Sequence, residues 1–313
     1  MEFEGRAFVV TGGAGFIGSN LVRKLIARGA RWVGVIDDFS CGTFENLLGL
    51  DRRVDIYPAS LLEFDFAELA QKPLAIFHLA AITDTTVEDQ AKMLSVNLTA
   101  SRRLLSFAAH QEIGVVYASS AAVYGKLERT MREEDAGQPA NVYGFSKLAL
   151  DWLAGELIER ERLPFLCGLR FFNVYGPGEA HKGKFASMIY QLACQMRAGQ
   201  RPRIFKFGEQ KRDFIFVDDA VEACLLAAAG EVSGIFNVGT GRAKSFNEVV
   251  KALNSALGTS LEPDYFDNPY DFYQEFTEAD LTRTREALDF EPRFGLEEGV
   301  AEYMKRLGWA GGG

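Results

Sequence analysis

Ala7-Phe8-Val9-Val10-Thr11-Gly12-Gly13-Ala14-Gly15-Phe16-Ile17-Gly18 runs from a short apolar strand pattern into glycines at every third position. Helical spacing follows at once through Ile17, Leu21 and Leu25, so the glycines mark a strand-to-helix turn. Gly12 suits the tight turn, Gly15 a close approach of backbone to a pyrophosphate, and Gly18 close packing of helix on sheet. The first turn of such a helix, Phe16 and Ile17 included, offers free N–H groups and a positive dipole end to phosphate. Trp32–Ile36 reads as the second strand, and Asp37 ends it, 19 residues after Gly18. An acid there accepts hydrogen bonds from the adenosine ribose. Asp38 follows and Ser40-Cys41-Gly42 brings no cation, so a 2′-phosphate would meet two carboxylates and repulsion. NAD is the expected cofactor; NADP stays open if Arg52 or Arg53 folds back.

Further strands are expected at Leu74–Phe77, Gly114–Tyr117 and Phe165–Leu169, with helices at about 88–109 and 142–161 between them. Continuous apolar strands alternating with helices predict an α/β fold, a Rossmann-type doubly wound parallel sheet covered on both faces. After Arg170 the rhythm breaks at Gly176-Pro177-Gly178 and Arg201-Pro202, between helices expected at Phe185–Arg197 and Asp218–Ala229. Val300, Tyr303, Met304 and Leu307 give a last helix one apolar face. The expected organisation is a dinucleotide-binding domain over 1–170, rejoined by a strand and helix at about 212–240. Residues 171–313 would form mainly a smaller α/β substrate domain.

The chain has 313 residues, 48% of them apolar, and 34 basic against 43 acidic side chains for a formal charge of −9. That balance excludes general affinity for nucleic acid or anionic membranes. No apolar run reaches the roughly 18–20 residues of a membrane helix, and Met1 leads into a strand pattern rather than a signal segment. Cys41, Cys167, Cys194 and Cys224 form no CxxC pair, and His78, His110 and His181 lie far apart. The expectation is a cytoplasmic protein without metal. His78, just after an expected strand, reads as a hydrogen-bonded core histidine, while Leu79, Ala80 and Ala81 would line the cofactor.

Tyr143-Gly144-Phe145-Ser146-Lys147 places a phenol and an ammonium on one helix face, four residues apart. An ammonium and a cationic nicotinamide nearby favour phenolate, making Tyr143 a base for an alcohol proton. Ala118-Ser119-Ser120-Ala121-Ala122 follows another expected strand. A serine at the carboxyl end of a parallel strand, where ligands bind, can hold the substrate oxygen opposite the tyrosine.

With these motifs the sequence resembles the extended short-chain dehydrogenase/reductase family, the sugar-nucleotide epimerases and dehydratases, over essentially its whole length. The resemblance rests on the glycine motif, His78-Leu79-Ala80-Ala81, Asn97, Ser120, Tyr143, Lys147, Arg170 to Pro177 and Lys211 to Asp219. It implies a catalytic triad of Ser120, Tyr143 and Lys147, cofactor contacts from Asn97 and Val174, a substrate contact from Asn173, and Arg212 on a substrate diphosphate. Dehydratases of this family carry an Asp-Glu pair after the triad serine or threonine. Ala121 and Ala122 stand there, which points to epimerisation.

Gly178 to Ser187, Gly234 to Ala243 and Tyr273 to Thr282 resemble the ADP-glyceromanno-heptose 6-epimerases. That resemblance implies a second catalytic lysine, Lys182, and a sugar-nucleotide site of Lys184, Gln191, Phe205, Lys206, Phe207, Gly208, Arg212 and Tyr273. Two departures stand out: Ser40 replaces a lysine of that NADP-preferring subfamily, and Gln191 replaces its histidine. The leading expectation is inversion of C6 in ADP-D-glycero-D-manno-heptose. The alternative is a UDP-hexose 4-epimerase; a non-catalytic NAD sensor would not need the intact triad. A homo-oligomer is expected, with apolar helices 88–109 and 141–161 as candidate interfaces.

Overall fold

The five residues Ala7–Thr11 are all buried, and their alternate side chains enter two separate cores, as a strand covered on both faces requires. The computed structural model describes residues 2–84, 87, 89–268 and 275–311. In chain order the elements are β1 (Ala7–Thr11), α1 (Phe16–Ala27), β2 (Trp32–Ile36), β3 (Val54–Tyr57), β4 (Ala75–His78), α2 (Gln90–Leu94), α3 (Ala100–Gln111) and β5 (Gly114–Ser120). Then come α4 (Val142–Glu159), β6 (Leu166–Phe171), β7 (Asn173–Tyr175), α5 (Met188–Arg197), β8 (Arg203–Phe205), β9 (Lys211–Phe216) and α6 (Val217–Ala229). β10 (Gly234–Val238), β11 (Ala243–Ser245), α7 (Phe246–Leu257), β12 (Asp264–Phe266), α8 (Thr282–Leu288) and α9 (Leu296–Arg306) complete the chain.

The central sheet has seven strands in the order β10-β6-β5-β4-β1-β2-β3, all parallel. The chain therefore has the Rossmann-type α/β fold. Phe8, Val10, Val35, Phe77 and Val116 face α1 and α6 through Leu21, Leu25, Ala220, Cys224 and Ala227. Val9, Ile76, Val115 and Tyr117 face α3 and α4 through Leu104, Leu105, Leu150 and Ala154. Reversal of strand order between β1 and β4 opens a crevice at the carboxyl ends of the strands, where such sheets bind ligands.

A second layer is built on the three-stranded sheet β11-β9-β7. Its core joins Ile189 and Leu192 of α5, Phe214 and Phe216 of β9, Val249 and Leu253 of α7, and Val300, Tyr303 and Met304 of α9. Asp213 is fully buried there; its carboxylate accepts from Thr240 N and Oγ1, Gly241 N and Ala279 N. Four donors compensate the burial that lifts its pKa.

Three boundaries differ from the sequence reading. The segment returning to the large sheet is α6 and β10, whereas β9 pairs in the small sheet. α5 begins at Met188, not Phe185, because Ser187 caps it by accepting from Tyr190 N and because Gly183 takes φ +53° just before. The long helix after β4 carries a π-helical turn at Ser95–Thr99 between α2 and α3; residue 88, its expected start, lies outside the described residues. Among the described residues no helix is long and apolar enough to cross a membrane, and no cluster of three His, Cys, Asp or Glu has metal-binding proximity.

Candidate active site

The crevice is a cavity of about 780 Å³. Gly12, Gly15, Phe16, Ile17 and Gly18 line its floor, and Asp37 and Asp38 one end. Gly12 has φ +69°, and a side chain there would stand 2.7 Å from Ala80 N, so the turn fits only glycine. No side chain caps α1 at Gly15, leaving the first N–H groups of the helix for a ligand. Asp37 is buried, and its two oxygens accept from Ala14 N and Phe39 N, both at 2.9 Å. Each carboxylate oxygen keeps a lone pair for a ribose hydroxyl. These features fit a dinucleotide: a diphosphate on the helix end and a ribose on the acids.

Tyr143 enters from the first turn of α4, which Asn141 caps by accepting from Gly144 N at 2.9 Å. A methyl at Gly144 would lie 2.6 Å from Ala122 O, so glycine lets α4 approach the turn after β5. Ser120 ends β5, and its hydroxyl is hydrogen-bonded to Tyr143. Lys147 is 4% exposed, and its ammonium donates to Ala118 O at 2.8 Å. The three side chains share the cavity. Burial raises the Tyr143 pKa, against the Ser120 hydrogen bond. The Lys147 ammonium lies 6.0 Å from the Tyr143 ring centroid. Lys147 is brought down to about 8 by burial, with Asp151 opposing.

Lys182 sits in a 3₁₀ turn, Ala180–Phe185, that lines the same cavity through His181, Lys182 and Phe185. Its ammonium lies 5.8 Å from the Phe16 ring centroid. Desolvation lowers its pKa, with the nearby Glu179 carboxylate opposing. Glu179 is itself fully buried and anchors the turn at both sides, accepting from Gly176 N at 3.0 Å and from Ser187 N and Oγ.

Leu79, Ala80, Ala81 and Val174 line the cavity too. Asn97 does not. It lies in the π turn, with Oδ1 accepting from Ile82 N at 2.8 Å and Nδ2 donating to Ile82 O and Ser146 Oγ. Through Ile82 it shapes the Leu79–Thr83 wall. Asn173, Lys184, Gln191, Phe205 to Gly208 and Arg212 also stand outside this lining. Gln191 turns onto the lysine turn, donating to Lys184 O and Ala186 O. Lys184 is exposed beside Phe185. Asn173 accepts from Thr277 Oγ1 at 3.3 Å. Lys206 pairs with Asp267 at 2.8 Å, Phe207 is 69% exposed, and Gly208 packs against the Asn247 side chain. Arg212 is buried on β9 and donates to Lys211 O at 2.9 Å. Tyr273 lies outside the described residues.

The sequence reading did not name Ala59, Ser60, Leu61 or Thr43, which line the cavity. The first three follow β3, a short edge strand whose Val-Asp-Ile-Tyr alternation is a weak signal. Had β3 been recognised, its carboxyl end would have pointed to them. His78 bonds Thr11 Oγ1 at 2.8 Å and Ser101 Oγ at 2.7 Å, a core histidine as read.

The NAD dependent epimerase/dehydratase family model matches residues 8–239. The chain belongs to that family. As an epimerase/dehydratase family member it is similar along its length to several solved structures. The Helicobacter pylori ADP-L-glycero-D-manno-heptose-6-epimerase is 35% identical, with 98% of each chain covered and a TM-score of 0.89. Thermotoga maritima UDP-glucose 4-epimerase, solved with UDP-glucose, is 31% identical over 96% of this chain and 99% of that one, TM-score 0.86. Bacillus cereus UDP-glucuronic acid 4-epimerase, in complex with UDP-glucuronic acid and NAD, is 26% identical over 96% and 99%, TM-score 0.84.

Proposed function

We propose that the protein is a nucleotide-sugar epimerase that inverts an exocyclic carbon, C6 of ADP-D-glycero-D-manno-heptose, using NAD held on Gly12–Gly18, Asp37 and Asp38. The observation that carries this reading is Lys182, a partly desolvated lysine on the wall of the cavity that contains Ser120, Tyr143 and Lys147. NAD supplies reversible hydride acceptance when bound. Ser120 holds the substrate oxygen and Tyr143 exchanges its proton, with Lys147 providing positive charge beside the phenol. The two epimers of an exocyclic alcohol present their oxygens on different sides, and proton transfer needs about 2.6–3.2 Å contact. Tyr143 then serves one configuration and Lys182 the other. Ala121 and Ala122 leave no acid beside Ser120 to protonate a departing hydroxyl, so dehydration is disfavoured.

Arg53 favours NAD over NADP, because its guanidinium is engaged with Ala30 O and Asp51, each at 3.0 Å, and lies outside the cavity lining. The acidic β2 end without a lysine is also the observation that favours the second reading, a UDP-hexose 4-epimerase acting on a ring hydroxyl with Tyr143 alone. α2, α3 and α4, the helices of the stretches expected at 88–109 and 141–161, would provide the interface of a homo-oligomer. Incubation with ADP-, UDP- and GDP-sugars, followed by NMR, separates the readings. Inversion of the ADP-heptose supports the first; inversion of a UDP-hexose alone replaces it with the second.

A further inference from the structure

The side-chain amide of Asn46 joins the two halves of the site. Asn46, in the 3₁₀ turn Phe44–Leu47, donates from Nδ2 to Ala14 O and to Gly178 O, both at 3.1 Å, and lies 3.3 Å from His181 Nδ1. Ala14 belongs to the glycine turn, and its N–H is held by Asp37 Oδ2 at 2.9 Å. Gly178 and His181 open the segment that carries Lys182. Hydrogen bonds therefore lead from the Asp37 carboxylate at the ribose end, through Ala14 and Asn46, to Gly178 and His181, the latter next to Lys182. Arg23 of α1 fixes the turn by donating to Asn46 O and Leu48 O at 2.8 and 2.9 Å. Asn20 adds a neighbouring tie, donating to Phe16 O and Pro177 O.

We infer that Asn46 is a positioning residue for Lys182: it docks the lysine turn onto the glycine turn, so that cofactor in the cradle and lysine over the site hold each other in place. The role assigned to Lys182 rests on the function proposed above; the docking itself does not. Asn46 is partly exposed, and Asn46→Asp keeps its shape while removing the donor both carbonyls need. Loss of two ordinary hydrogen bonds lowers docked over undocked turn by about tenfold or more.

Trypsin reads this directly, since Lys182 and Lys184 flank Gly183 in the turn. Full-length protein is digested with and without added NAD, and cleavage at each site is followed by mass spectrometry alongside the melting temperature. Wild-type protein should be cut slowly after Lys182 and Lys184, and more slowly still with NAD. In Asn46→Asp, cutting at these two sites should rise about tenfold and escape NAD protection, with other sites and the melting temperature unchanged. Unchanged cutting, retained NAD protection, or a rise at all sites with a lowered melting temperature would overturn the inference. None of these readouts requires Lys182 to act as a base, so failure here is distinct from failure of the epimerase reading.

Discussion

Asp151 stands one helical turn beyond Lys147 on the buried face of α4, and its carboxylate joins Arg170 Nε at 2.8 Å and the Tyr117 hydroxyl at 2.9 Å. It is the charge that opposes burial at Lys147, whose pKa is about 8. A lysine with a lowered pKa keeps its ammonium below that value and loses it above. If the ammonium supports Tyr143, kcat/KM falls as pH rises through about 8. Asp151→Asn, nearly isosteric, should move that alkaline fall to lower pH. An unmoved profile in a folded variant would detach Asp151 from Lys147.

His78 sets a different pH dependence, on stability. Burial, followed by the Lys147 charge, lowers its pKa from 6.5 to about 3. The unfolded chain therefore binds a proton that the folded one refuses between these values. The stabilisation is fully present above pH 6.5 and is lost as pH falls towards 3, by up to about 1.4 kcal/mol per pH unit. Urea unfolding of wild type and His78→Asn between pH 6.5 and 4 should show the steeper decline in wild type. Parallel slopes would mean that His78 charges in the fold.

NAD is the cofactor proposed from Asp37 and Asp38. Mass spectrometry of cofactor released from purified protein should find NAD. NADP alone would require a cation to reach the ribose, with Arg52 the first candidate for substitution.

Arg212 is proposed as the diphosphate contact. Arg212→Lys keeps the charge but loses the planar fork, so KM for the nucleotide sugar should rise about 10- to 100-fold, equivalent to roughly 1.5–3 kcal/mol, with NAD affinity unchanged. An unaltered KM would confine Arg212 to the packing of β9.

The strands and helices nearest the glycine motif were the most legible in the sequence, because Val9, Ile36, Ile76 and Val115 lie in continuous apolar runs that only a doubly covered parallel sheet accommodates. The candidate catalytic pair was legible because Tyr143 and Lys147 are four residues apart on one helix, and both line the cavity. Arg212 was not: its burial depends on the β7–β9–β11 pairing, which no local pattern announces. Gln191 likewise reads as a ligand contact by position, yet its amide satisfies Lys184 O and Ala186 O. Asn46 carried no signal at all, since its partners lie 32 and 132 residues away.

Replacement of Lys182 by Met separates two bases from one most directly. NMR should follow the C6 epimers of ADP-glycero-manno-heptose in wild type, Tyr143→Phe and Lys182→Met, each with its bound cofactor quantified. Either substitution should abolish epimerisation while cofactor content stays at the wild-type level. Near-normal turnover in Lys182→Met would contradict the two-base mechanism and leave Tyr143 as the sole base.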